Sequence, residues 1–158
     1  TQDNLIQARN VMESLELAEL DNFFRDACAK SEPVNIDELD KQAAIIYPII
    51  LKERLEIIVK LPGRDNLHHY TNPHVTETQV DEAVRELRIA LTQRSTSLSE
   101  IKSASKPLYE WLIQPLTADL EHFAQPNQKP IKTLVFVLDG SLRNIPPAAL
   151  YTGKQYLI

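Results

Sequence analysis

Few side chains in this chain are equipped for nucleophilic or metal chemistry. They are one thiol, Cys28, four imidazoles, His68, His69, His74 and His122, and an Asp139-Gly140 pair followed closely by Ser141 and Arg143. A thiol beside an imidazole is the minimum for covalent catalysis, because the imidazole removes the thiol proton. Cys28 suits that role poorly. It stands four residues after Phe24 on an apolar helical stripe, where cysteine acts as a small hydrophobe. His68, His69 and His74 are close enough in sequence to raise a metal site. Adjacent strand residues point to opposite faces, however, and no well-placed carboxylate or second thiol completes a ligand set. No metal and no cofactor is expected. Ser141 lacks the flanking pattern of a nucleophile elbow, and His122 falls where a helix C-terminus favours a cation.

Asp139 carries more information. Residues 134–138 (Leu-Val-Phe-Val-Leu) are an unbroken apolar run, stopped abruptly by Asp139-Gly140. Such a run has no solvent-facing alternation and predicts an interior strand covered on both faces, as in a parallel sheet. Asp139 then marks the strand's carboxyl end, the edge where open α/β sheets gather ligands. Asp-Gly is also a strong turn pair, so turn chemistry alone accounts for it. Asp139, Gly140 and Arg143 are the candidate residues for a substrate cleft. Arg143 has a structural alternative too, binding a helix carbonyl or water.

The elements that would position these residues can be read from spacing. From Gln2 to about Lys30 the chain has no Gly or Pro. Leu5, Ala8, Met12, Leu15, Leu20, Phe23, Phe24 and Cys28 recur at helical intervals until Ser31-Glu32-Pro33. Residues 43–50 and 55–61 are apolar and β-branched around a polar tetrad, which predicts a hairpin. Pro48 inside the first run predicts an edge strand or a bulge. A third short strand is expected over 67–71. Thr76-x-x-Gln79 and Ser97-x-x-Glu100 are capping boxes. The helices behind them should bury Val80, Val84, Leu87 and Leu91, then Ile101, Ala104, Leu108, Trp111 and Leu112. Asp81 and Arg85 form an expected i,i+4 pair. Pro115 forces a kink or restart, a loop spans Pro126 to Pro130, Pro146-Pro147 opens a short helix, and Tyr156 begins a further strand.

Composition excludes several classes. The chain has 158 residues, one domain's length, and three glycines, too few for a glycine-rich phosphate cradle. Its net charge of −5, from 17 basic and 22 acidic side chains, repels phosphate backbones, so nucleic acid is not an expected partner. No apolar stretch approaches the ~20 residues of a membrane-spanning helix, and the first residues carry no signal-peptide pattern. A cytoplasmic setting is expected. The missing initiator Met and the apparent strand start at the last residues lead to the expectation of a fragment, the front part of something longer, with self-association through unpaired strand edges.

The residues quoted above resemble a known family. Ala44-Ile45-Ile46-Tyr47-Pro48-Ile49-Ile50 followed by Arg54-Leu55-Glu56-Ile57-Ile58 is similar to the opening hairpin of the CHAT domain. The 134–138 run with Asp139-Gly140-x-Leu142-Arg143-x-Ile145-Pro146-x-Ala148-Ala149-Leu150 resembles that family's most recognisable internal motif. Leu17-Ala18-Glu19-Leu20-Asp21-Asn22-Phe23-Phe24-Arg25 is similar to the segment joining a tetratricopeptide array to the domain. The resemblance implies a bacterial, caspase-like protein and an α/β fold: part of an α/β/α sandwich with a long N-terminal helix. Residues 1–34 would be a linker helix after tetratricopeptide repeats, and 35–158 the N-terminal part of a CHAT domain. Active members are cysteine peptidases whose His and Cys lie downstream of the Asp-Gly…Ile-Pro motif. No residue here matches those positions, so the implied catalytic set is empty and the chain alone is expected to be inactive.

Two rival readings stand beside that one. In the first, the chain is a non-catalytic interaction module whose long helix packs on repeats and whose sheet edges recruit protein or peptide strands. In the second, Asp139 and the following helix start bind a small molecule.

Overall fold

The computed structural model describes residues 1–24, 40–123 and 130–157. Helix α1 (Gln2–Phe24) precedes a hairpin of β1 (Ala43–Leu51) and β2 (Arg54–Lys60), joined by the two-residue turn Lys52-Glu53. Strand β3 (Leu67–Asn72) follows, then α2 (Glu77–Thr92), α3 (Leu98–Leu112) and α4 (Thr117–His122). Strand β4 (Thr133–Phe136) leads into 3-10 turns at Gly140–Asn144 and Pro147–Ala149. The sheet is mixed, in the order β3-β2-β1-β4. Strands β1, β2 and β3 pair antiparallel, and β4 runs parallel to β1 from Ala43↔Thr133 to Ile46↔Phe136. Helices lie on both faces, so the fold is α/β, as its sequence predicts.

β1 is apolar without alternation because both of its faces are covered, fully from Ala43 to Pro48 and partly from Ile49 to Leu51. On one face Ala44, Ile46, Leu55, Ile57 and Val59 pack with Val80, Val84 and Leu87 of α2 and Leu108 and Leu112 of α3. On the other, Ile45, Tyr47, Ile58 and Leu67 meet Leu5, Ala8 and Met12 of α1. Both capping boxes form. The Thr76 and Ser97 hydroxyls accept from the Gln79 and Glu100 amides, and the Gln79 and Glu100 side chains return to the cap backbones. Satisfying these N-terminal donors starts each helix at the expected residue.

Several predicted placements are corrected. Among the described residues the 134–138 run is an outermost strand of the sheet and not an interior one. Its ladder ends at Phe136, every residue of β4 is half-buried, and β4 lies at the edge of the sheet among the described residues. Its faces are nonetheless covered as expected: Leu134, Phe136 and Leu138 reach the α2–α3 core, and Val135 and Val137 the α1 core. An unbroken apolar run reports covered faces and says nothing of a missing neighbour.

Pro48 forms no bulge, since the β1–β2 register is continuous through it. The Ile46 carbonyl and the Ile50 N–H both point to the β4 side. Pro48 has the same parity, so its missing N–H faces the stretch that β4 has already left. Locally, β1 is an edge there.

Leu91 is 39% exposed, and α2 buries Ala83 and Ala90 along with Val80, Val84 and Leu87. Arg85 pairs with Glu82 at i,i+3 instead of Asp81. In α1, Leu15 and Leu20 are exposed, while Phe23, Phe24 and Cys28 fall outside the described side chains. Trp111 is half-buried against the core, and Pro107 sits inside α3. Pro115 does restart the chain, in a 3-10 turn leading to α4. Tyr156 bridges back to Tyr151, and among the described residues no further strand begins there; Ile158 lies outside them.

The two leucines of α2 separate these stripes by experiment. Leu87→Ala should cost about 2–5 kcal/mol and Leu91→Ala less than about 0.5 kcal/mol, read from urea midpoints at unchanged slope. Equal losses would contradict the observed helix face.

Candidate functional site at the end of the parallel strand

The site begins where β4 leaves the sheet. Val137 N–H donates to the Ile46 carbonyl at 3.0 Å, and the chain then diverges from β1. That divergence strands the Ile50 N–H, which Asp139 recovers: its Oδ2 accepts from Ile50 N at 2.9 Å. The Asp139 carbonyl accepts from Leu142 N at 3.1 Å and closes the turn. Gly140 takes φ +48°, and a Cβ there would approach Ile50 Cδ1 at 3.3 Å. The left-handed backbone favours glycine there, and the Ile50 methyl would have to give by a few tenths of an ångström to admit a Cβ. Leu142, Ile145 and Leu150 are buried in the α2–α3 core and seat the rest of the motif. Asp139 and Gly140 are thus brought together at the carboxyl end of the strand.

Arg143 reaches the same end with its guanidinium turned toward α1. Nε donates to the Leu138 carbonyl at 2.9 Å and Nη2 to Glu16 Oε1 at 2.7 Å, while Nη1 bonds the Glu19 carboxylate. The Glu19 bond holds the guanidinium above its ordinary pKa against the effect of burial, with the charges of Glu16, Glu19 and Asp139 adding to it. Ser141 Oγ is buried and finds no hydrogen-bond partner among the described residues.

The histidines occupy other places. His68 and His69 lie on β3, at the opposite edge of the sheet from β4, and point to opposite faces as alternation demands. His68 Nδ1 meets Asp119 Oδ2 at 2.6 Å, the Tyr70 hydroxyl donates to the same oxygen, and Arg64 stands 3.4 Å from His68 Nε2. His69 Nε2 meets Glu56 Oε2 at 2.8 Å, and Thr71 donates to that oxygen at 2.6 Å. His74 is exposed after β3, and His122 ends α4 with its ring edge-on to Phe123 at 5.7 Å. Cys28 lies outside the described residues. Among those described, no three His, Cys, Asp or Glu side chains stand together as a metal site.

The Tyr70–Asp119–His68–Arg64 cluster is missed by sequence reading, because Asp119 lies 51 residues beyond His68. The recoverable signal is the i,i+2 spacing of His68 and Tyr70, which puts two polar rings on one face of an edge strand. Burial, the hydrogen bond to Asp119 and its charge push the Tyr70 hydroxyl well above its ordinary pKa. Burial also pushes the Asp119 carboxyl up. Hydrogen bonds from Tyr70 and His68, with the charges of His68 and Arg64, outweigh that and hold it below the usual range. Glu56 is lowered in the same way, with burial opposed by Thr71, Arg54 and His69.

A lowered folded-state pKa stabilises above the unfolded value and is lost as pH falls through the folded one. The wild-type urea midpoint should therefore fall faster than that of Asp119→Asn as pH drops below about 4; parallel curves would show that the carboxylate is energetically silent. Asp139→Ala should cost about 1–3 kcal/mol by orphaning the Ile50 N–H, and Asp139→Asn should recover most of it in the same denaturation assay. An equally damaging Asn would mean that the anchor needs charge.

A scan against family models matches residues 102–158 to the CHAT domain. The matched stretch takes in most of α3, α4, β4 and the whole Asp-Gly…Ile-Pro motif, while α1 and the β1–β2 hairpin lie outside it. No curated protein and no solved structure matches the chain.

Proposed function

We propose that this chain, which carries CHAT-domain sequence at residues 102–158, is scaffold for a caspase-like cysteine peptidase domain and supplies none of its catalytic side chains. One observation carries the reading. The Asp139 turn is built as the carboxyl terminus of a strand parallel to β1, locked to β1 through Ile50 N. That is where an α/β sheet presents its chemistry. The imidazoles that could serve a thiol are elsewhere, since His68 and His69 are held by Asp119 and Glu56 at the far edge of the sheet. In this reading residues 1–34 join tetratricopeptide repeats to the domain and residues 35–158 form its front part. Asp139, Gly140 and Arg143 border the cleft, a protein or peptide is the substrate, and the parent is a bacterial protein working in the cytoplasm without metal or cofactor. No helix among the described residues is long and apolar enough to cross a membrane.

The second reading, a non-catalytic interaction module, draws on a different observation. Val11, Leu15 and Leu20 of α1 are 61%, 45% and 46% exposed, and the outer edge of β4 has no strand partner among the described residues. Both surfaces suit protein partners.

Peptide-library hydrolysis tests the first reading. The 158-residue chain should cleave nothing above buffer, and Cys28→Ser should behave identically. A longer polypeptide containing it should cleave, with Asp139→Ala lowering kcat/KM by at least roughly tenfold. Cleavage by the short chain that vanishes in Cys28→Ser would overturn the scaffold reading. A longer protein that is inert to peptides but binds repeats would favour the interaction module.

A further inference from the structure

α1 is fastened to the sheet differently from α2 and α3. Those two bury eight residues between them, five from α2 and three from α3. α1 buries Met12 alone among its described side chains, helped by half-buried Leu5 and Ala8. Its attachment is mostly polar and distributed along its length. At its start, the Gln2 side chain donates to the Leu67 carbonyl at 2.8 Å and accepts from the Leu67 N–H at 2.9 Å, at the rim of β3. In its middle, the Tyr47 hydroxyl on β1 donates to Glu13 at 2.7 Å. Further on, Glu16 and Glu19, one turn apart, grip Arg143. The helix therefore crosses the sheet from the β3 rim to the end of β4 with a polar fastening at each station.

The third fastening differs from the others in what it touches. The guanidinium that binds both glutamates also donates to the Leu138 carbonyl. Leu138 immediately precedes Asp139, whose side chain holds Ile50 N and whose carbonyl holds Leu142 N. A planar guanidinium bonded on three sides transmits position as a rigid plate. Shifting the glutamates shifts the plate, and the plate bears on the backbone of the turn.

We propose that α1 is a releasable strap and that Arg143 with Glu16 and Glu19 is its latch, coupling the seating of the helix to the order of the Asp139 turn. A partner presenting basic side chains to Glu16 and Glu19 would open the latch by competition. The device does not depend on whether the parent domain cleaves peptides, so its test is independent of the proposed function.

Amide hydrogen exchange on the 158-residue chain reads the coupling at positions that the altered side chains do not touch. The double substitution Glu16→Gln with Glu19→Gln keeps volume and leaves the turn untouched. It should speed exchange at Ile50 and Leu142 by roughly three- to tenfold, with the β1–β2 ladder unchanged. Arg143→Gln should give a similar acceleration, and adding it to the double variant should bring little more. Raising salt from about 0.05 M to about 1 M should loosen the same two amides in the wild type and hardly affect the double variant. Unchanged exchange at Ile50 and Leu142 in the glutamine variant would overturn the proposal. So would acceleration spread evenly over the ladder, because that is global destabilisation and not a latch.

Discussion

The architecture depends on the need to cover β1 on both faces. Nine residues of unrelieved apolar or half-buried surface, from Ala43 to Leu51, cannot meet water on either side without a large loss of hydrophobic free energy. Everything else supplies that cover. β2 and β4 pair along its edges, α2 and α3 close one face, and α1 lies over the other. The two coverings are unequal. The α2–α3 side is a broad core fed by helices with full capping boxes. The α1 side is a narrow seam along Met12, bordered by hydrogen bonds and ion pairs. One layer is permanent by area burial, and the other is conditional on electrostatics that salt and partners can alter.

The Asp-Gly…Ile-Pro motif takes its meaning from the point at which β4 parts from β1. A parallel neighbour that leaves early exposes backbone donors, and buried or half-buried donors must be answered. Asp139 answers the Ile50 N–H, and Gly140 allows the close approach to Ile50 that the answer requires. Leu142, Ile145 and Leu150 then return the chain to the core. The structural and functional readings of Asp139 are thereby compatible: a carboxylate that fixes the end of a strand also fixes whatever cleft is built there.

Sequence patterns were legible wherever local physics decided the outcome. The hairpin, the third strand, both capping boxes and the restart after Pro115 follow from propensity, turn chemistry and reciprocal hydrogen bonding within a few residues. Features settled by distant partners were not legible. The exposure of Leu91 depends on which side of α2 meets the sheet, and the small residues Ala83 and Ala90 take inner positions while Leu91 does not. The edge position of β4 among the described residues is a fact of topology, and hydrophobicity does not record strand order. The salt bridges of Arg143 join residues 127 and 124 positions apart, and the carboxylate shared by His68 and Tyr70 lies 51 and 49 residues beyond them, also outside any local window.

Pro48 has a consequence for how this molecule avoids misassembly. Where β4 has departed, an ordinary strand would offer the surroundings alternating donors and acceptors and invite a stray chain to zip alongside. Here the imino acid has no hydrogen to give, and the amide two residues on is already occupied by a carboxylate. An intruding segment would find carbonyls to satisfy it but nothing to donate back. A half-made ladder is a weak invitation, so this length of rim is chemically blunted without needing a covering element.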